Sequence, residues 1–416
     1  MKKSLNSIGI KFLVLYLFFT YCIQMILVQF LREEMSELYN STELSVYYAF
    51  LLMVLFFIIT IFLYNILPSI RKIQISESFF QIFLFLGLII SFIYFISSID
   101  FFINYNISFR HKVRIRDASF LVKILFTLAI FIKIVVFMYL VYLMKNHHLL
   151  KIQKISLFFI LIGSLLSLNS SMGIILPAII FLMLFFSSIF YKKINIENIF
   201  ILFPIIVVLL VGVVFLGLAN KSGVEYAYTF FSSSDGIMKL FVKVFTRISA
   251  SFMSLQVLLE NHVFDINLQF ETFLSSFDVF IQKIKILLPF LDTPSRDIIS
   301  VNRTNFLLLF KPFNDHAGTS PGLLGSIFYL PFFPISIIFI SFYTLIIIKS
   351  INRYFKDIKE YNILTVFCVL YCLFTFFESP LSILSILLPV NFALLIFVIG
   401  SFISFNRRKI YAKKDN

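Results

Sequence analysis

The chain has 416 residues, of which 60% are hydrophobic and only 13% charged, with a mean hydropathy of +0.99 and a formal net charge of +14. This balance excludes a soluble enzyme, and with no Gly-rich phosphate loop ending in Lys it excludes nucleotide-sugar chemistry on a nucleotide-binding domain. Nucleic-acid binding is excluded too, because most of the positive charge sits on short connectors between apolar runs.

Those runs are about 20 residues long, the length of helix that crosses a bilayer at a rise of about 1.5 Å per residue. Ten spans are predicted, over 8–30, 44–67, 79–99, 119–144, 155–171, 172–190, 199–218, 322–348, 361–378 and 380–404. The fold class is therefore all-α, a polytopic integral membrane protein. At the N-terminus, basic Lys2 and Lys3 precede a long apolar stretch without a small-residue cleavage pattern, which reads as an uncleaved signal anchor. Between the fifth and sixth spans only Asn169, Ser170 and Ser171 interrupt the apolar run, so a tight hairpin is expected there. With no Trp in the chain, the interfacial aromatic belt falls to Tyr, as at Tyr39, Tyr47, Tyr64 and Tyr191. Cys22, Cys368 and Cys372 lie inside apolar runs and read as small buried hydrophobes.

Charge sets the orientation. Lys2, Lys3, Arg71, Lys72, Lys145, Lys151, Lys154, Lys192, Lys193, Lys349, Arg353, Lys356, Lys359 and the tail from Arg407 to Lys414 fall on alternate connectors, which the positive-inside rule makes cytoplasmic. Both termini are then inside and residues 219–321 outside. The chain divides into seven N-terminal spans (1–218), a large external loop (219–321), and three C-terminal spans with a basic tail (322–416).

Two external regions break the rule. The connector ISFRHKVRIRD carries Arg110, Arg114 and Arg116. The large loop carries Lys239, Lys243, Arg247, Arg296 and Arg303 among its bases. A solvated basic face is the plain reading of the lysines, whereas the planar fork of Arg suits a phosphate. Within the loop, the stretch from Ser232 to Glu260 has apolar residues at helical spacing, with Lys239, Lys243 and Arg247 at i, i+4 and i+8. It is predicted to be an amphipathic helix with one basic stripe facing anionic headgroups. A second helical stretch, ending at Pro289, is too apolar for a free loop and is expected to pack on the membrane body. Inside the bilayer, Lys133 stands near the middle of the fourth span, at a cost of about 2.5 to 3.5 kcal/mol if exposed to lipid. It is expected to face the bundle interior or water, with Ser164 and Ser167 as candidate partners.

The stretch NDHAGTSPGLLGSIFYLP closes the loop. Gly318, Pro321, Gly322 and Gly325 predict a compact turn entering the eighth span, with Pro321 near the first helical position. Asp315, His316 and Ser326 would border one extracytoplasmic cavity. The His, the Gly-Thr-Ser-Pro-Gly run, Leu-Leu-Gly and an aromatic pair, after a long external loop that opens with Arg in FTRISAS, resemble the oligosaccharide repeat-unit polymerases of bacterial O-antigen assembly (Wzy type). The resemblance covers topology throughout and residues from about 241 to 329. Ser326 stands where that family often has Glu, and Ser171 and Met172 where a basic residue is common.

The resemblance implies an architecture like that of lipid-linked membrane glycosyltransferases. It implies a reaction at the periplasmic face of the inner membrane, in which a growing glycan leaves its undecaprenyl diphosphate carrier for a sugar hydroxyl of a second lipid-linked unit, contributing to lipopolysaccharide. Cations must then hold the diphosphate as charge develops. Arg247 is the first candidate, with Lys243, Lys239, Arg110, Arg114, Arg116, Arg296 and Arg303 as the pool. His316 would be the general base, with Asp315 or Glu378 as substitutes. No cofactor and no metal cluster is predicted, the five His being scattered. Partners would be the lipid-linked oligosaccharide, the bilayer, and a chain-length regulator protein. A lipid-linked oligosaccharide flippase or other transporter is the rival reading, though no internal repeat is found; an O-antigen ligase or a membrane acyltransferase are rivals among enzymes.

Overall fold

The computed structural model describes residues 7–30, 44–68, 73–104, 119–146, 149–167, 223–233, 249–260, 269–275, 301–309, 319–355, 363–381 and 389–406, with isolated helical positions between 174 and 219 and between 266 and 278. Its elements are α1 (Ile8–Phe30), α2 (Leu44–Ile66), β1 (Ile73–Ser76), α3 (Glu77–Asn104), α4 (Phe120–Asn146), α5 (Lys151–Leu166), α6 (Val224–Ser232), α7 (Val301–Leu309), α8 (Gly322–Gly325), α9 (Phe333–Phe355), α10 (Ile363–Glu378), α11 (Pro389–Phe402) and β2 (Ile403–Asn406). Five of the described helices, α1, α2, α3, α4 and α9, are long and apolar enough to cross a membrane. The hairpin at Asn169 to Ser171 lies outside the described residues.

The eighth span is a correction. It begins at Phe333, not at 322. Leu330 is extended (φ −105°, ψ 142°), as a residue before Pro331 prefers, and Phe332 has φ 64°. These two residues break the helix between the turn and α9. Ser336 Oγ then donates to the carbonyls of Leu330, Pro331 and Phe332 at 3.0 to 3.2 Å and caps the break. The fifth span starts earlier than expected, at Lys151, where Gln153 Oε1 accepts the Leu150 N–H at 2.8 Å. A two-stranded parallel pair, β1 with β2 in register Ile73 to Ile403, was not legible from hydropathy.

Two compact units emerge. The first comprises 1–69, 239–355 and 369–394. In it α1 runs antiparallel to α9. At one end a Cβ on Gly9 would lie 2.7 Å from the Ile348 carbonyl, so only Gly allows the helices to come this close. There the Gly9 N–H donates to Asn352 Oδ1 (2.6 Å), Asn352 Nδ2 donates to the Tyr64 hydroxyl (3.0 Å), and Lys349 Nζ donates to the carbonyls of Leu67 and Pro68. The start of α1 and the ends of α2 and α9 therefore share one face, the basic one.

The second unit comprises 70–238, 356–368 and 395–416. Here α3 packs antiparallel to α4 and parallel to α5. Gln81 Nε2 donates to the Tyr142 hydroxyl (3.4 Å), and Tyr139 donates to the Leu84 carbonyl (3.3 Å). On the other side Ser91 and Ser156 share a hydrogen bond of 2.8 Å, and Tyr94 and Ser167 one of 2.9 Å. Lys133 does not face the bundle interior, one of its two expected surroundings. Val135, Tyr139 and Tyr142 take the face of α4 against α3, which leaves Lys133 exposed, while Ser167 is engaged by Tyr94.

Candidate functional site

The turn from Thr319 to Gly322 has a tightly constrained backbone. Gly322 has φ +71°, a left-handed conformation that other residues adopt at a cost, and a Cβ there would meet Ser251 Cβ at 2.6 Å. Gly here thus answers two demands at once, a turn and a close approach. Residues 322–329 then form α8 and a single 3₁₀ turn, all buried. Ser326 is one of them. Its hydroxyl donates to the Gly322 carbonyl at 2.6 Å, so it is enclosed and does not border a cavity as expected.

Neutral groups from three elements, α7, α1 and α10, hold this turn. From α7, Asn305 Nδ2 donates to Ser254 Oγ (2.9 Å) and to the Thr319 carbonyl (3.2 Å), and its Oδ1 accepts from the Tyr329 hydroxyl (3.1 Å). Burial pushes the Tyr329 phenol above its ordinary range, so it stays a donor. The Thr319 N–H donates to the Asn302 carbonyl at 2.9 Å. From α1, the Tyr21 hydroxyl accepts the Leu324 N–H at 3.0 Å. From α10, the Glu378 carbonyl accepts from Ser320 Oγ.

Tyr21 reaches the turn because α1 widens into a π-helical turn over Phe18–Cys22, where the Ile23 N–H returns to the Phe18 carbonyl five residues back. Such turns are rare and concentrate at functional sites. Tyr16, one turn earlier, packs edge-on against Phe374 and Phe377 of α10 at 5.4 and 5.0 Å, and Tyr343 of α9 donates to the Phe376 carbonyl at 2.8 Å. The turn, the middle of α1 and the end of α10 therefore meet away from the basic face.

Of the site residues expected from sequence, Arg303 is described. It lies half-buried on α7 with its guanidinium 5.5 Å from the Phe306 ring centre, next to Asn302, whose carbonyl receives Thr319. Glu378 is exposed at the end of α10, one residue of contact away at Ser320. Arg247, Lys243, Lys239, Arg110, Arg114, Arg116, Arg296, His316 and Asp315 lie outside the described residues. The helix predicted around Arg247 is described only over 249–260. There residues 252–258 are all buried, so this part is an embedded helix with no solvated face. In the next stretch, Phe270 packs on Phe332 at 6.4 Å, in keeping with a segment laid against the membrane body. Asn305, Ser254 and Tyr21 carry the site without having been singled out; the polar run SVNRTN was the signal for the first, and nothing in α1 marked the last. Among the described residues no group of three or more His, Cys, Asp or Glu could hold a metal ion.

The fold defines a helical, multi-pass membrane protein. No protein-family model, curated protein or solved structure matches the chain.

Proposed function

We propose that this chain polymerises undecaprenyl-diphosphate-linked oligosaccharide repeat units into O-antigen at the periplasmic face of the bacterial inner membrane. The observation that carries the reading is the Gly322 turn: a left-handed Gly, a serine packed against it, and an Asn that ties both flanks of the loop to one point. Ser254 and Thr319, both bonded by Asn305, follow Arg247 by seven residues and His316 by three in the sequence, which supports a role for these two residues near the turn. Fixed geometry of this kind suits a reaction in which a diphosphate is gripped while a hydroxyl is deprotonated. Arg247 and Arg303 would bind the diphosphate, with Lys239, Lys243, Arg110, Arg114, Arg116 and Arg296 as further candidates. His316 would take the acceptor proton, with Asp315 or Glu378 as substitutes.

The test is genetic. Deletion of the gene in its host should leave lipopolysaccharide core bearing a single repeat unit on a gel. Core with no repeat would replace this reading with a flippase or ligase. Arg247→Ala and His316→Ala should each reproduce the single-repeat pattern at normal protein levels, and a full ladder would remove that residue from the mechanism.

A further inference from the structure

We propose that the outer face of α4 docks a transmembrane helix of another membrane protein, one that carries an Asp or Glu near its middle to meet Lys133; the inference is independent of the polymerase reading. Lys133 stands midway between Phe120 and Asn146, the two ends of α4, about 20 Å of helix from each at about 1.5 Å per residue. In a hydrocarbon layer about 30 Å thick that is about 15 Å from either headgroup region, too far for a four-carbon stem to carry its ammonium to water. Lys123, close to the start of α4, is near enough to the interface to snorkel.

The face of α4 that Lys133 borders is open. Val135 and Tyr139 lie against Gly87 of α3, and Tyr142 accepts from Gln81. They follow Lys133 by two, six and nine positions, which at about 100° per residue puts all three on the far side of the helix from it. Lys123, Thr127, Ile130 and Ile134 follow spacings of four, three and four and form one stripe; the first three are exposed and Ile134 is half-buried. Lys133 and Phe131, both exposed, border the stripe on either side. Thr127 Oγ1 donates to the Lys123 carbonyl at 3.0 Å, so its hydroxyl is already used. Ile130, Phe131 and Ile134 around Lys133 are apolar, the surroundings of lipid and not of a water-filled channel. A charge there costs about 2.5 to 3.5 kcal/mol and calls for a partner of opposite sign.

The chain does not supply that partner. Of its ten apolar runs only 361–378 holds a carboxylate, Glu378, at its last residue. Glu77 and Asp100 stand near the two ends of α3, and Asp100 is engaged by Ser119 at 3.2 Å and Asn104 at 3.0 Å. A second copy would bring the same deficit. The headgroup of an anionic lipid, or the diphosphate of a lipid-linked glycan, stays at the interface, out of reach of Lys133. The counter-charge must therefore arrive at mid-depth on a helix of a different protein.

A test uses the labelled full chain in phosphatidylcholine vesicles, with energy transfer to labelled polyleucine helices bearing Glu, Gln or Leu at their centre. The Glu helix should associate roughly tenfold or more tightly than the other two. Lys133→Leu should remove that preference, Lys133→Glu should transfer it to a helix with a central Lys, and Lys123→Leu should leave it unchanged. Should Lys133→Glu fail to fold, Lys133→Leu decides by itself. Equal association of the three helices would overturn the proposal, and so would a Glu preference that survives Lys133→Leu. Loss of the preference when phosphatidylglycerol replaces part of the phosphatidylcholine would show that anionic lipid serves Lys133, and would overturn it too.

Discussion

The two ends of the α1–α9 pair are both locked by polar contacts, yet they are locked differently. At the basic end a Gly permits close approach, and Asn352 and Lys349 satisfy backbone groups at helix termini. This is ordinary helix-end chemistry, since terminal N–H and C=O groups must find partners. At the other end, Asn305, Tyr21 and the Glu378 carbonyl converge on one turn from three separate elements. The first end needs only its helices to stay packed. The second holds one backbone conformation through several side chains at once.

Substitutions should separate the two. The largest effect is expected from Gly322→Ala, which adds about 1–2 kcal/mol of left-handed backbone cost to a collision with Ser251. It should abolish the O-antigen ladder beyond a single repeat and lower the melting midpoint. Gly9→Val should come next, forcing α1 from α9 at about 1–3 kcal/mol. Its signature is reduced folded protein with the ladder reduced in proportion; a lost ladder at normal protein level would mean that the basic end also serves the site. Asn305→Ala leaves Ser254, Thr319 and Tyr329 each short of a partner and should destabilise by about 1–3 kcal/mol. Chain extension should fall more than stability does, measured as ladder length against melting midpoint. Tyr21→Phe removes one acceptor and should cost about 1 kcal/mol, with shortened ladders at near-normal protein level. A ladder like that of the unsubstituted chain in Tyr21→Phe would show that the π-helical turn serves packing alone.

Much of the transmembrane plan was legible because hydrophobic length is a strong signal. The boundaries of α1, α2, α3 and α4 fall within a few residues of those expected, since each is a long, predominantly apolar run. The start of α9 was misread for the opposite reason. Residues 322–330 are apolar enough to be spanning, and only the Leu330–Pro331–Phe332 backbone shows that they form a separate buried turn. Lys133 was misplaced because span-averaged hydropathy does not say which face a residue occupies, and Val135 and Tyr139 took the packed one. The turn itself was read from its Gly and Pro residues, whose conformations are local. Its partners were not, because Tyr21 and Leu324 are 303 residues apart and no local pattern reports such a pairing.

The bond between the Gly9 amide and Asn352 has a consequence for biosynthesis. Its two residues are separated by 343 positions. At translation rates of about 5–20 residues per second, the first helix must wait roughly 20 to 70 s for the helix that accepts it. During that interval its tyrosines, Thr20 and Gln24 face the insertion machinery or lipid with no helical mate. Early ribosome-bound fragments should therefore cross-link to the translocation channel through this face, and release should follow only when the segment beginning at Phe333 has entered the membrane.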